Sequence, residues 1–241
     1  MAFLLLFLAV LRDIHTMIKI TLVTKRSVLM LLPLFALALV GCSQNMDALQ
    51  KTAKLAIWGQ DDVQVSAEKV AQTPYASAYL RVGKAPQAFV VLAFAENGQF
   101  KWIGADRNIV VTHNGRIVKT QGFGEDIAHV INVTPDPLAV GLLKPSTPLH
   151  WQGKMAWSQV QRGDYAIESV FQAHGKETVT ILDKPRQLLK FTEQVSVPAL
   201  NAEYTNTYWL EPTTGQVVQT WQQMGPDMAL VKFTVLKPYV Q

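Results

Sequence analysis

The chain has 241 residues, 22 basic and 18 acidic for a formal charge of +4, with five histidines and one cysteine. A lone cysteine excludes a disulfide framework or a cysteine-only metal centre within one copy. Apolar residues make up 49% of the chain, enough to fill the core of one large domain or two small ones.

The opening segment reads as an export signal. Residues 1–10 are apolar, but Met17-Ile18-Lys19 starts a signal of ordinary length, so Met17 is the expected translation start. Lys25 and Arg26 precede an apolar run over residues 27–38, and the run ends in Leu39-Val40-Gly41-Cys42. That sequence is a lipobox: the Cys42 thiol takes a lipid, the chain is cut before it, and residues 1–41 leave. The apolar run is too short for the ~20 residues that span a bilayer. Ser43 is not the aspartate that retains lipoproteins in the inner membrane, so the expected address is the outer membrane, lipid-anchored, on the periplasmic side.

Loss of the signal changes what the charge means. Arg12, Lys19, Lys25, Arg26 and Asp13 depart with it, leaving a balance of +1 and no basic run that would track a phosphate backbone. Nucleic acid is therefore excluded as a partner class. With Cys42 acylated, no free thiol remains for catalysis or metal binding.

The mature chain divides into a lipidated N-terminus with a helical segment (42–60) and one β-rich domain (61–241). Met46, Leu49, Ala53, Ala56 and Ile57 recur at helical spacing over residues 46–58, with Gly59 as the stop. Beyond it come strands and turns. Residues 87–95 and 100–104 flank Asn97-Gly98, and residues 109–113 and 116–120 flank Asn114-Gly115, both hairpin signals because Asn and Gly accept positive φ. Residues 125–130 suggest a short helix, and the prolines of 134–148 mark one long irregular connection. Turns are expected at Gln161-Arg162-Gly163-Asp164, Ala173-His174-Gly175-Lys176, Glu211-Pro212-Thr213-Thr214-Gly215 and Gly225-Pro226-Asp227, the rhythm of an antiparallel meander. Residues 228–236 alternate apolar and polar. The expected fold is mainly β, an antiparallel meander closed into a large barrel or strongly curled sandwich. A membrane-spanning barrel is disfavoured, since many strands carry Lys, Glu or Gln on both faces.

Several segments resemble the YjbF/GfcB family of lipoproteins. They are Thr73-Pro74-Tyr75-Ala76-Ser77, Trp102 with Ala105-Asp106, Val111-Thr112-His113-Asn114-Gly115-Arg116-Ile117-Val118-Lys119-Thr120-Gln121-Gly122, and Tyr208-Trp209-Leu210-Glu211-Pro212-Thr213-Thr214-Gly215-Gln216-Val217-Val218. The resemblance implies a β-rich outer-membrane lipoprotein from operons that make and export exopolysaccharide or group 4 capsule. It implies no catalytic residues.

The residues themselves give no enzyme signature. His113, His129, His150 and His174 lack metal-ligand spacing, and no metal or other cofactor is expected. Asp106 precedes a predicted hairpin strand and His113 the Asn-Gly turn, an arrangement that lets a carboxylate face an imidazole but that any antiparallel protein offers by coincidence. Ser158, Ser169 and Ser196 sit in no nucleophile elbow, and Gly122-Phe123-Gly124 lacks the third glycine of a nucleotide loop. The carboxylates Glu168, Asp183 and Glu203 are not paired at a glycosidase separation by any sequence signal. Aromatics beside amides remain: Trp151, Tyr208 and Trp221 are the candidate glycan contacts, although strands favour aromatics for packing alone. The expected function is an accessory factor in polysaccharide production and export, not an enzyme, with the membrane, the polymer or other proteins of the operon as partners. A periplasmic glycan- or lipid-binding barrel module is the second reading, and a polysaccharide-modifying enzyme the third.

Overall fold

The computed structural model describes residues 61–158 and 164–240. The signal, the lipobox with Cys42, the helix expected at 46–58 and all of the 161–164 turn except Asp164 lie outside the described residues.

The first element is a short helix, α1 (Ala67–Gln72), started by the Ser66 hydroxyl, which accepts from the Lys69 amide. Five strands follow: β1 (Ser77–Val82), β2 (Ala88–Glu96), β3 (Gln99–Ile103), β4 (Ile109–His113) and β5 (Arg116–Gln121). Then come β6 (Ile127–Asn132), the single-turn helix α2 (Pro137–Val140), β7 (His150–Trp157), β8 (Tyr165–Ile181) and β9 (Lys184–Val197). A 3-10 turn (Pro198–Leu200) leads into β10 (Ala202–Leu210), β11 (Val217–Gln223) and β12 (Leu230–Lys237).

These strands make one 12-stranded antiparallel sheet in the order β5-β4-β3-β2-β1-β12-β11-β10-β9-β8-β7-β6. Two meanders are thus joined where β1 pairs with β12, Leu80 opposite Phe233. A twisted sheet this wide curls on itself, and here it forms a nearly closed barrel. At the seam, side chains replace the ladder: the Ile127 amide donates to Thr120 Oγ1 (2.9 Å), and that hydroxyl donates to Asp126 Oδ1 (2.8 Å). Asp126 also accepts from the Gly122 and Phe123 amides, fixing the turn from β5 to β6.

The expected β meander is present, with its hairpin turns where the Asn-Gly pairs stand. Asn97 and Gly98 have φ of 53° and 74°, and Asn114 and Gly115 have 49° and 90°. Two local expectations are corrected. Residues 125–130 are not a helix: Ile127–Asn132 is the strand β6, laddered to β7, and a register shift between Ile127 and His129 breaks the alternation that would have marked it as β. Ala173-His174-Gly175-Lys176 is not a turn: β8 runs straight through it, and Gly175 (φ 81°) takes part in a bulge against β9. The chain reverses instead at Leu182-Asp183, both at positive φ without a glycine.

Inward positions carry the main core, including Trp102, Trp157, Ile167, Val195 and Phe233. Outward positions of β8, β9 and β10 carry Glu168, Gln194, Glu203 and Thr205. Where the long β8–β9 hairpin extends past β10, a smaller cluster of Ile181, Leu188, Trp209 and Val218 forms.

Candidate functional site

The Asn114-Gly115 turn does more than reverse the chain. A Cβ on Gly115 would stand 2.6 Å from the Cβ of Val217 on β11, a strand that lies far around the sheet order. Gln222, also on β11, clasps the start of β5: its Nε2 donates to Gly115 O (2.7 Å) while its Oε1 accepts from the Ile117 amide (3.1 Å). The hairpin tip is therefore held across the barrel interior.

That clasp delivers Arg116, 3% exposed, into the core. Its Nε and Nη2 donate to the two carboxylate oxygens of Asp136, at 2.6 and 3.0 Å, in a bidentate fork. Its Nη1 donates to Glu193 Oε2 (3.1 Å), and Nη2 lies 2.9 Å from Glu193 Oε1. The guanidinium also sits 3.9 Å from the centre of the Trp151 ring. Glu193, fully buried, accepts further from Ser169 Oγ (2.7 Å), Asn206 Nδ2 (2.9 Å) and the Tyr208 hydroxyl (2.9 Å). Isolated charges cannot be buried at bearable cost, whereas this set leaves both carboxylates saturated with donors.

The electrostatics follow from the same contacts. Burial works against the Arg116 charge, but Glu193 and Asp136 outweigh it and hold its pKa well above the ordinary arginine value. Burial, reinforced by the Glu193 charge, pushes the Tyr208 and Tyr204 hydroxyls upward, so both are neutral at physiological pH and Tyr208 donates. Glu193, on β9, is committed to holding β5, β8 and β10 to its own strand and has no acceptor position to spare for a reacting group.

Asp136 carries the network into the long β6–β7 connection. Besides binding Arg116, it caps α2 by accepting from the Leu138 amide (3.0 Å). The helix, one turn long, is thereby pinned over one end of the barrel. Between α2, the Asn114-Gly115 turn, the β10–β11 loop and Tyr239 lies an open cavity of ≈ 380 Å³. The barrel centre, by contrast, is filled, with a void of only ≈ 10 Å³ beside Arg116. Room for a ligand thus exists at the mouth and not in the middle.

The three aromatic candidates are not brought together. Trp151 (1% exposed) and Tyr208 (0%) face inward and serve the arginine network, with the Trp151 Nε1 donating to Asn132 Oδ1. Trp221 (37%) lies on the outer surface, edge-on to Trp209 at 5.1 Å and beneath the Lys232 ammonium at 4.2 Å. The residues that make the network are hidden in the sequence because charged and amide side chains read as surface. One signal was available: Glu193 stands in phase with Phe191, Val195 and Val197, and Asn206 with Tyr204 and Tyr208, the inward row of each strand. Among the described residues, no group of three or more His, Cys, Asp or Glu side chains is placed to hold a metal.

Comparison with known proteins agrees with this architecture. Residues 50–236 match the model of the family described as group 4 capsule polysaccharide lipoprotein GfcB, YjbF. The lipoprotein YjbF of Escherichia coli (strain K12) is 35% identical over 208 residues, 85% of this chain and 95% of that protein. The lipoprotein GfcB of the same organism is 31% identical over 211 residues, 87% of this chain and 98% of that protein. The crystal structure of the hypothetical lipoprotein YmcC from Escherichia coli (K12) superposes with a TM-score of 0.66 at 30% identity, covering 79% of this chain and 96% of that one.

Proposed function

The chain belongs to the YjbF family of group 4 capsule polysaccharide lipoproteins, and from that premise we propose that it is an accessory factor in the production and export of exopolysaccharide or capsule. In this reading the Cys42 lipid anchors it to the periplasmic face of the outer membrane, and the barrel, filled and cross-linked inside, acts as a docking body. The observation that carries the proposal is the family match, which runs through nearly the whole barrel domain. The Leu39-Val40-Gly41-Cys42 box supports the address.

The test is genetic. Deletion of the gene, in a strain that expresses the operon, lowers surface polymer while growth stays normal. Wild-type protein restores the polymer, and Cys42→Ser, which removes the thiol that takes the lipid, does not. Unchanged surface polymer in the deletion strain overturns the proposal. A second reading, a glycan- or lipid-binding module, is favoured by the mouth cavity alone.

A further inference from the structure

We propose that the cavity at the barrel mouth binds a sugar residue bearing a negative charge, such as a uronate within a polysaccharide. The inference rests on the export reading for its substrate class and adds to it a site.

The cavity has a built wall. Phe100 and Tyr239 meet at 5.5 Å, and Trp102 packs against Phe233 at 5.2 Å. Trp102 and Phe233, each 3% exposed, back the wall from the core, with the Trp102 Nε1 satisfied by Thr112 Oγ1 (3.0 Å). Tyr239 is 41% exposed and forms the rim of this wall. Sugars present a flat C–H face that packs on such rings.

The same cavity is lined by polar groups whose one charge is positive. Asn114 and Gln216 offer amides, Thr214 a hydroxyl and Lys144 an ammonium, and the lining holds no Asp or Glu. Among the described residues, Lys144 takes part in no salt bridge. An acyl chain filling this space would strip water from those amides and the ammonium without replacing their hydrogen bonds. A sugar replaces them with hydroxyls, and a carboxylate on the sugar meets Lys144. The volume, ≈ 380 Å³, falls in the range of about 300–1,000 Å³ usual for small-ligand sites.

The polar side is also held in place, which lowers the ordering cost of binding. Asn114 is fixed by the Gln222 clasp on Gly115, and α2 by the Arg116–Asp136 fork. The β10–β11 loop is closed by two hydrogen bonds of 2.8 Å, Gly215 N to Glu211 O and Glu211 N to Gln216 O. The buried network is thus the foundation of the site while none of its charges reaches the ligand.

The experiment uses the full lipidated protein in detergent, with tryptophan fluorescence or calorimetry as the readout. The probes are an oligosaccharide containing glucuronate, the same oligosaccharide with its carboxyl groups reduced to alcohols, and laurate. The expected result is binding of the glucuronate probe, about tenfold weaker binding of the reduced one, and no competition by laurate. Lys144→Gln abolishes the tenfold difference, and Tyr239→Ala weakens both sugars. Both positions are exposed, and melting temperature confirms that each variant is folded. Equal affinity for the charged and reduced probes, displacement by laurate, or loss of binding in Trp221→Ala with Tyr239→Ala unaffected overturns the proposal. Absence of sugar binding with a clear polymer defect in the deletion strain removes this site and leaves the export reading intact. Sugar binding with normal surface polymer does the reverse.

Discussion

Arg116 and Glu193 lie 77 positions apart in the chain, yet Nη1 of the one donates to Oε2 of the other at 3.1 Å in the middle of the barrel. A buried pair of this kind contributes little over a well-packed apolar substitute, but breaking it strands a charge. Arg116→Leu leaves the Glu193 and Asp136 carboxylates in the core without their shared cation. The expected cost is about 3–5 kcal/mol in urea unfolding. Arg116→Lys recovers only a minor part, because an ammonium cannot fork onto Asp136 and reach Glu193 together. A lysine variant as stable as wild type would show that the planar geometry is dispensable.

Gly115 is constrained twice, by a φ of 90° and by the 2.6 Å approach that a Cβ would make to Val217. Gly115→Ala costs roughly 1–3 kcal/mol for the backbone conformation alone. Only Val217→Gly removes the Cβ as well as the methyls that the alanine would strike, so in a Val217→Gly background Gly115→Ala keeps the φ cost and loses the collision, and its cost is smaller. Melting temperatures of Gly115→Ala against wild type, and of the double variant against Val217→Gly, separate the contributions.

Stability falls at alkaline pH for a specific reason. In the unfolded chain Tyr208 releases its proton near an ordinary tyrosine pKa of about 10. In the barrel, burial and then Glu193 raise that pKa well above this. Above about pH 10 the unfolded chain binds fewer protons than the native one, so the contribution present below that pH is lost as pH rises towards the folded pKa. Tyr208→Phe, which withdraws a donor from Glu193, is less stable than wild type by about 1.5–3 kcal/mol at pH 8. The two proteins converge above pH 10 when unfolding is followed across the range, and parallel curves would contradict the assignment.

The Trp151 ring lies against Gly153, where an added Cβ would come within 2.5 Å of its Cζ2. Gly153→Ala must displace the indole from the Arg116 guanidinium or shift β7. The expected cost is about 1–3 kcal/mol, as for other overpacked cores, with a change in tryptophan emission. Wild-type emission and stability together would show that the ring moves freely.

The fold was legible where chemistry is local. Asn97-Gly98 and Asn114-Gly115 announce their hairpins because few side chains tolerate positive φ, and the strands between them alternate. Leu182-Asp183 makes the same reversal with residues that carry no such mark, so it was invisible. The site was hidden for a different reason. Arg116 follows a turn and looks like a solvent-facing cation, while its partners Asp136 and Glu193 come from a loop and a distant strand. Only the pairing of β1 with β12 brings Tyr239 near Phe100, and no window of sequence contains both. Trp151 and Tyr208 stand in the sequence as rings with amides nearby, which is also how a buried polar core spells itself.

The seam between β5 and β6 has a consequence for crowding. A lipid anchor concentrates copies of a protein in two dimensions, where an unpaired strand edge is a template for joining one copy to the next. Here the two edges of the sheet are clipped together at Thr120, whose hydroxyl accepts from the Ile127 amide and donates to Asp126. An edge held beside its own counterpart in this way is less open to pairing with a neighbouring copy.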